Sequence, residues 1–272
     1  MPGKWLVKEE TKKRNELILL YIDKNKTIRE IAKILRIGES TVYDRLIRLN
    51  IPPQRSKKER YNNIRQDIRL PIEYSKELAE FVGILLGDGH LNQTQIMVTL
   101  GSKDEYIDHV CGLIEHLFGV KAKVFITPKG HYVVYIGSTM LVRWFLEMGL
   151  VFNKVKSQVD VPRWVFSKKI YMGSALRGLI DTDGSIYRIK FGTQISFCNR
   201  SKPLIQSVRR MFLILGFHPS RITGHNLYLT KKEDLHRFFL EIGFRNKKHT
   251  KRFLEFFLHN MGASHSGNCT AL

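Results

Sequence analysis

Two nine-residue stretches constrain this chain more than any other feature: FVGILLGDG at 81–89 and LRGLIDTDG at 176–184. Both are apolar, and both close on an aspartate followed by glycine. What comes after them also matches. TQIMVTLGS (94–102) lies over TQISFCNRS (193–201), CGLIEHLFGV (111–120) over RRMFLILGFH (209–218), and VVYIGSTMLVRWFLEMG (133–149) over NLYLTKKEDLHRFFLEIG (226–243). Apolar periodicity reads each half as helix, two strands, helix, strand, helix. Such self-similarity predicts an α+β body of duplicated αββαβα-type repeats, at 73–158 and 159–258, related by a pseudo-twofold axis and forming two related sheets.

Small residues recur four apart in both stretches: Gly83 and Gly87 in the first, Ser174, Gly178 and Thr182 in and before the second. Positions four apart share a helix face, so each helix presents a small-residue stripe along which another backbone can approach closely. If the stripes meet at the pseudo-twofold axis, Asp88 and Asp183 end side by side, with Gly89 and Gly184 expected as left-handed residues ending each helix. The electrostatics there are adverse. A carboxylate at a helix C-terminus opposes the macrodipole by a few tenths to about 1 kcal/mol, and a second carboxylate adds repulsion. The site calls for a cation. Two hard oxygen ligands with waters suit Mg²⁺, which one or two carboxylates hold together with substrate phosphates.

Charge points the same way. Lys and Arg total 45 against 25 Asp and Glu, a net charge of +20 with a pI near 9.9. Solubility asks for only about 2 to 8 charges on a small domain, so the excess implies a polyanionic partner, nucleic acid foremost. Metal-assisted phosphodiester hydrolysis joins that partner to the paired acids. No apolar run reaches the roughly 20 residues of a membrane span, and MPGKWLVKEETKKR lacks the apolar segment of a secretory signal. No membrane partner and a cytoplasmic location are therefore expected. Cys111, Cys198 and Cys269 are far apart without CxxC spacing, which indicates neither a disulfide framework nor zinc. Walker, HExxH and GxSxG motifs do not occur, nor do splicing residues at either terminus.

The first fifty residues form a unit of their own. NELILLYI (15–22) and TIREIAKIL (27–35) are helical by apolar spacing, and Thr27 with Glu30 makes a capping box. After a turn at Arg36-Ile37-Gly38, ESTVYDRLIRL (39–49) repeats the helical period. Val42, Leu46 and Leu49 face inward, while Ser40, Thr41, Tyr43, Arg45 and Arg48 face outward. The spacing resembles a helix-turn-helix DNA-binding domain, over residues 1–52, in which the third helix enters the major groove and those five side chains contact DNA. Residues 53–72, dense in Arg, Lys and Asn, read as a basic linker, and 259–272 as a flexible tail.

FVGILLGDG and LRGLIDTDG resemble the two motifs of the LAGLIDADG homing endonucleases, in the single-chain form that holds both repeats; the likeness covers about residues 73–255. The family implies a saddle whose sheets lie along the DNA major groove, with the motif helices as its hinge. It further implies a monomer that cuts double-stranded DNA with Mg²⁺, for which Mn²⁺ substitutes. On matching positions, Asp88 and Asp183 would be the catalytic metal ligands. Gln95 and Gln194, each in a TQI, resemble the residue that positions active-site water. Lys156 in NKVKSQ and Lys248 in NKKHT resemble the basic residue after the last helix of each repeat. The first motif has Leu86 and Gly87 where the family spells Asp-Ala, and Asp181 of the second is not a ligand. The resemblance carries two other occupations: a transcription regulator that keeps the scaffold for binding beside a helix-turn-helix, and a maturase that binds intron RNA.

Overall fold

A computed structural model describes residues 7–24, 26–49, 51, 67–101, 105–190 and 192–262. The chain divides into two compact units, with the boundary between Asn62 and Asn63.

The described residues of the first unit form helices and their connecting turns. Helix α1 (Val7–Ile18) runs into a π-helical turn at Leu19–Asp23, and α2 (Ile28–Leu35) and α3 (Glu39–Arg48) follow. Both halves of the capping box form at α2: Thr27 Oγ1 accepts from Glu30 N at 3.2 Å, and Glu30 Oε2 accepts from Thr27 N at 2.7 Å. The bond from Thr27 N, with a second from Thr27 Oγ1 to the same Oε2 at 2.9 Å, holds the Glu30 carboxyl below its ordinary pKa. Arg36, at φ 52°, ends α2 in the left-handed conformation and turns the chain toward α3. Leu17, Leu20, Tyr21, Ile31, Val42, Leu46 and Leu49 close a small core of their own.

The second unit carries the duplication. Its first half is α4 (Lys76–Gly87), β1 (Gly89–Leu91), β2 (Gln95–Leu100), α5 (Glu105–Phe118), β3 (Lys123–Ile126), β4 (Tyr132–Gly137) and α6 (Thr139–Glu147). A 3₁₀ turn at Arg163–Ser167 leads into the second half: α7 (Lys169–Asp183), β5 (Gly184–Ile189), β6 (Gly192–Cys198), α8 (Lys202–Ile214), β7 (Asn226–Leu229) and α9 (Lys232–Glu241). Helix α10 (Lys247–Gly262) completes it. The sheets are antiparallel, in the orders β1-β2-β4-β3 and β5-β6-β7. Equivalent hairpins share one register: Gly89 faces Val98 in the first and Gly184 faces Phe197 in the second. A single apolar core runs beneath both sheets.

Three details depart from the sequence expectation. The first half has an extra strand, β3, whose four residues are all exposed; an edge strand covered on neither face shows no burial alternation by which to recognise it. Part of the expected basic linker belongs to the body. Ile68 is buried, and Arg69 N bonds to Phe118 O at 3.0 Å, whereas residues 52–66 lie outside the described residues. The expected tail begins inside α10, which continues to Gly262; residues 263–272 lie outside the described ones.

Candidate active site

Helices α4 and α7 form the centre of the second unit, and α4 is buried without interruption from Leu78 to Leu86. Their approach is reciprocal. A Cβ on Gly83 would lie 2.3 Å from Ala175 O and 3.1 Å from Leu179 N; one on Gly178 would lie 2.3 Å from Glu80 O and 2.8 Å from Ile84 N. These positions exchange when the motifs are overlaid, as a twofold axis requires. Gly87 likewise meets Thr182. The small-residue stripes therefore let the two backbones touch.

Beside this contact, Glu80 is a buried acid. Its Oε1 lies 2.7 Å from His109 Nε2, and its Oε2 accepts from Arg177 Nη1 at 2.9 Å. Burial alone would raise its pKa, but the bond from His109 and the charge of Arg177 hold it below the ordinary value. Glu80 and Arg177 thus tie α4 to α7 across the axis.

Gly89 and Gly184 are not left-handed. Gly184 has φ −87° and ψ 162°, and Gly89 has no positive φ; each begins a strand. Glycine is required there by space. A Cβ would fall 2.4 Å from Leu85 O at Gly89 and 2.3 Å from Ile180 O at Gly184, because the chain doubles back on the helix it has just left.

Asp88 and Asp183 close the two helices as neighbours. Burial foremost, then the charge of Asp183, push Asp88 up to about 6, against the pull of Lys154. Burial also raises Asp183, opposed by a hydrogen bond from Asn199 and by Lys154. The Nδ2 of Asn199 donates to Asp183 Oδ2 at 2.7 Å. The cation demanded by this arrangement is a lysine ammonium: Lys154 Nζ donates to Leu85 O at 3.2 Å, Leu86 O at 3.0 Å and Gly87 O. Burial lowers the Lys154 pKa, and the two aspartates counteract the shift.

Several expected site residues stand elsewhere. Lys156 is exposed, and Lys154, two positions earlier, reaches the carbonyls at the end of α4 in its place, where its charge acts on both acids. The turn after α6 aims residue 154 at the end of α4 and residue 156 at solvent. Lys248 is exposed on α10 and makes no contact with the acids among the described residues. The aligned pairs are Asn153-Lys154 and Asn246-Lys247, and Lys247 pairs with Glu105. That shared Asn-Lys was the available sequence signal. Gln95 and Gln194 are also displaced from the acids. Thr99 N bonds to Asp88 O at 3.1 Å, level with the acid, and Gln95 lies four residues farther along β2, roughly 13 Å at the strand rise. Gln194 faces Tyr187, likewise four residues beyond Asp183. Both glutamines lie on the sheet faces turned away from the core, in line with Met97 and Thr99, or with Ser196 and Cys198.

Asp181 turns away from the pair. Its Oδ2 accepts from Arg245 N at 2.8 Å, and burial pushes its carboxyl up to about 7 against that bond. In the first unit, Ser40, Thr41, Tyr43 and Arg48 are exposed on α3, while Arg45 is half-buried. Arg45 follows Val42 by three positions and precedes Leu49 by four, which places it at the margin of the buried face.

The donors suit a hard cation. Among the described residues no cluster of three or more His, Cys, Asp or Glu could hold a metal, so the protein offers two carboxylates beside the helix-end carbonyls that already hold an ammonium. Mg²⁺ and Mn²⁺ accept such a sparse oxygen set when water and phosphate complete it. No helix among the described residues is long and apolar enough to cross a membrane.

Residues 171–243 match the family model described as LAGLIDADG-like domain. That stretch of the chain is thus similar to the LAGLIDADG family. In Methanocaldococcus jannaschii, the glutamine–fructose-6-phosphate aminotransferase [isomerizing] is 25% identical over 206 residues, covering 71% of this chain and 18% of that protein. The replication factor C small subunit of the same organism is 24% identical over 266 residues, covering 91% of this chain and 14% of that one. The chain thus spans less than a fifth of these relatives' length. Among solved structures, the homing endonuclease I-DmoI in complex with DNA and Mn matches with a TM-score of 0.48 and 18% identity, over 62% of this chain and 96% of that one. The N-terminal LAGLIDADG domain of DUF199/WhiA matches with a TM-score of 0.45 and 14% identity, over 66% of this chain and 89% of that one.

Proposed function

We propose that this LAGLIDADG protein is a site-specific endonuclease that hydrolyses phosphodiester bonds of double-stranded DNA with a divalent cation, Mg²⁺ or Mn²⁺, held by Asp88 and Asp183. The observation that carries this reading is the burial of the two carboxylates as neighbours at the ends of α4 and α7, within the field of an ammonium held by the helix-end carbonyls. The bound metal would supply Lewis-acid polarisation of a phosphoryl oxygen and a water of lowered pKa. The chain's own residues do the rest. The α4–α7 contact holds the acids rigidly, Asn199 orients Asp183, and Lys154 places positive charge where a phosphoryl transition state gathers negative charge. The outer sheet faces, carrying Gln95 and Gln194, and the net charge of +20 bind the duplex. Helix α3 adds a second DNA contact through Ser40, Thr41, Tyr43, Arg45 and Arg48. The test is to incubate the chain and Mg²⁺ with a genomic DNA library and map the ends. Cleavage at a defined sequence is expected, lost in Asp88→Asn and Asp183→Asn while binding in Ca²⁺ persists.

One observation favours a second reading, a DNA-binding regulator that no longer cuts: the Lys154 ammonium already offsets part of the charge of the acid pair without a metal. Tight binding with no cleavage in Mg²⁺ or Mn²⁺ would establish it over the endonuclease.

A further inference from the structure

The outer faces of the two sheets are built on one register but carry different chemistry. In the first sheet, Ile96, Val98 and Leu100 turn to the core opposite Ile136, Val134 and Tyr132, so side-chain alternation puts Met97, Thr99, Val133 and Tyr135 on the outer face. Strand β3 extends that face: Phe125 pairs with Val133, and Lys123 with Tyr135. The second sheet repeats the pairing, Ser196 with Tyr228 and Cys198 with Asn226. Tyr228 is thus the counterpart of Tyr135, but Ser196 replaces Met97 and Asn226 replaces Val133. Among the described residues the order β5-β6-β7 has no strand equivalent to β3. One outer face is apolar where the other is polar.

The apolar face is open to solvent and held in shape. Phe125 is 44% exposed, and its ring meets that of Tyr135 edge to face, with centroids 5.6 Å apart and planes at 73°. Val133 is buried in the row between Thr99 and Phe125. Met97, half-buried beside Tyr135, adds a flexible side chain that fits itself to a neighbour. Lysines border the patch, Lys123 on the same face and Lys129 exposed in the turn between β3 and β4. A cationic border suits phosphates, and an apolar centre suits the one apolar group that a base pair shows in the major groove, the C5-methyl of thymine. Over cytosine N4 or the O6 and N7 of guanine, the same face would cover donors and acceptors that it cannot pair. We propose that Met97 and Phe125 are specificity-determining residues that select thymine in the base pairs beneath the first repeat, a preference that the polar face of the second repeat does not share. The proposal rests on the duplex-binding reading given above.

The test is selection of binding sites from random duplex DNA by the full chain in Ca²⁺, followed by fluorescence anisotropy on the selected site. One half of that site should be rich in thymine. Replacing its thymines by deoxyuridine deletes the methyl and leaves every hydrogen-bonding group in place; binding should weaken about fourfold per methyl, the worth of one buried CH₂. The same exchange in the other half should leave affinity unchanged. Selection with Met97→Ser and Phe125→Ser combined should erase the thymine preference in that half alone, and the double variant should bind thymine and uracil sites equally. A wild-type chain indifferent to uracil, or a double variant that keeps the thymine preference, would overturn the proposal while leaving duplex binding standing. Sedimentation that finds the wild type dimeric and the double variant monomeric would assign the patch to a contact between copies instead. Failure of the wild-type chain to bind any duplex would remove the DNA reading and this proposal together.

Discussion

Replacing Gly178 by alanine tests whether the α4–α7 contact organises the unit. The added methyl would lie 2.3 Å from Glu80 O and 2.8 Å from Ile84 N, both backbone atoms that no rotamer change can withdraw. Restoring an ordinary carbon contact of about 3.5 Å requires the helices to part by roughly 1 Å. Overpacking of this kind costs about 1–3 kcal/mol, with backbone clashes at the upper end, and alanine's better helix propensity returns about 1 kcal/mol. The net loss is about 2 kcal/mol, or roughly 4–8 °C in Tm for a unit of this size. Gly112→Ala is the control. It lies exposed in α5, and its Cβ would meet nothing within 4 Å, so only the propensity gain of about 1 kcal/mol remains. Urea denaturation followed by circular dichroism reads both variants. Separating the helices also parts Asp88 from Asp183 and loosens the Glu80–Arg177 pair, so cleavage should fall further than stability alone would predict. A Gly178→Ala chain as stable as Gly112→Ala would refute the close contact.

The raised pKa of Asp181 predicts a pH-dependent stability. Its carboxyl is held at about 7 against an ordinary 3.8, so between those values the folded chain binds the extra proton and the group's contribution to stability falls as pH rises. Asp181→Asn removes that slope. Relative to wild type, the variant should gain stability from pH about 4 to about 7, and a difference that does not vary with pH would refute the assignment. His249, buried and lowered to about 4, adds the opposite slope below pH 6.5 in both chains and cancels in the comparison. Lys154→Met leaves two buried carboxylates without their ammonium, a loss of about 3–5 kcal/mol; urea denaturation at pH 7 should show Mn²⁺ restoring much of it, and no restoration would argue against shared occupancy of the site. If the unit grips some 6 to 10 phosphates, DNA affinity should drop by about 10³ to 10⁵ between 50 and 200 mM salt, as fluorescence anisotropy can measure, and a flat response would rule out that extent of contact.

Local pattern determined a good deal of this molecule by itself. The duplicated order of elements follows from periodicity in either half, the closeness of α4 and α7 from glycines four apart, and the pairing of Asp88 with Asp183 from their places at the ends of those helices. The capping box at Thr27 and the buried row Val42, Leu46 and Leu49 were legible for the same reason: each depends on residues within one or two helical turns. Tertiary structure decided what depends on long reach. Lys154 meets carbonyls 67 to 69 positions away, and the turn after α6, not its distance along the chain, selects it over Lys156. The hairpin register moves Gln95 and Gln194 four residues along their strands from the acids, although the TQI motif is repeated faithfully. Gly89 and Gly184 are glycines because a strand starts against the helix it leaves, a steric demand that sequence cannot distinguish from a left-handed turn. Asn199 stands where the first repeat has Leu100, and only the folded backbone shows that this one exchange lies 2.7 Å from Asp183. Repetition in sequence fixes the frame of the site, while the side chains that break the symmetry fix its chemistry, because their partners come from segments the repeat does not contain.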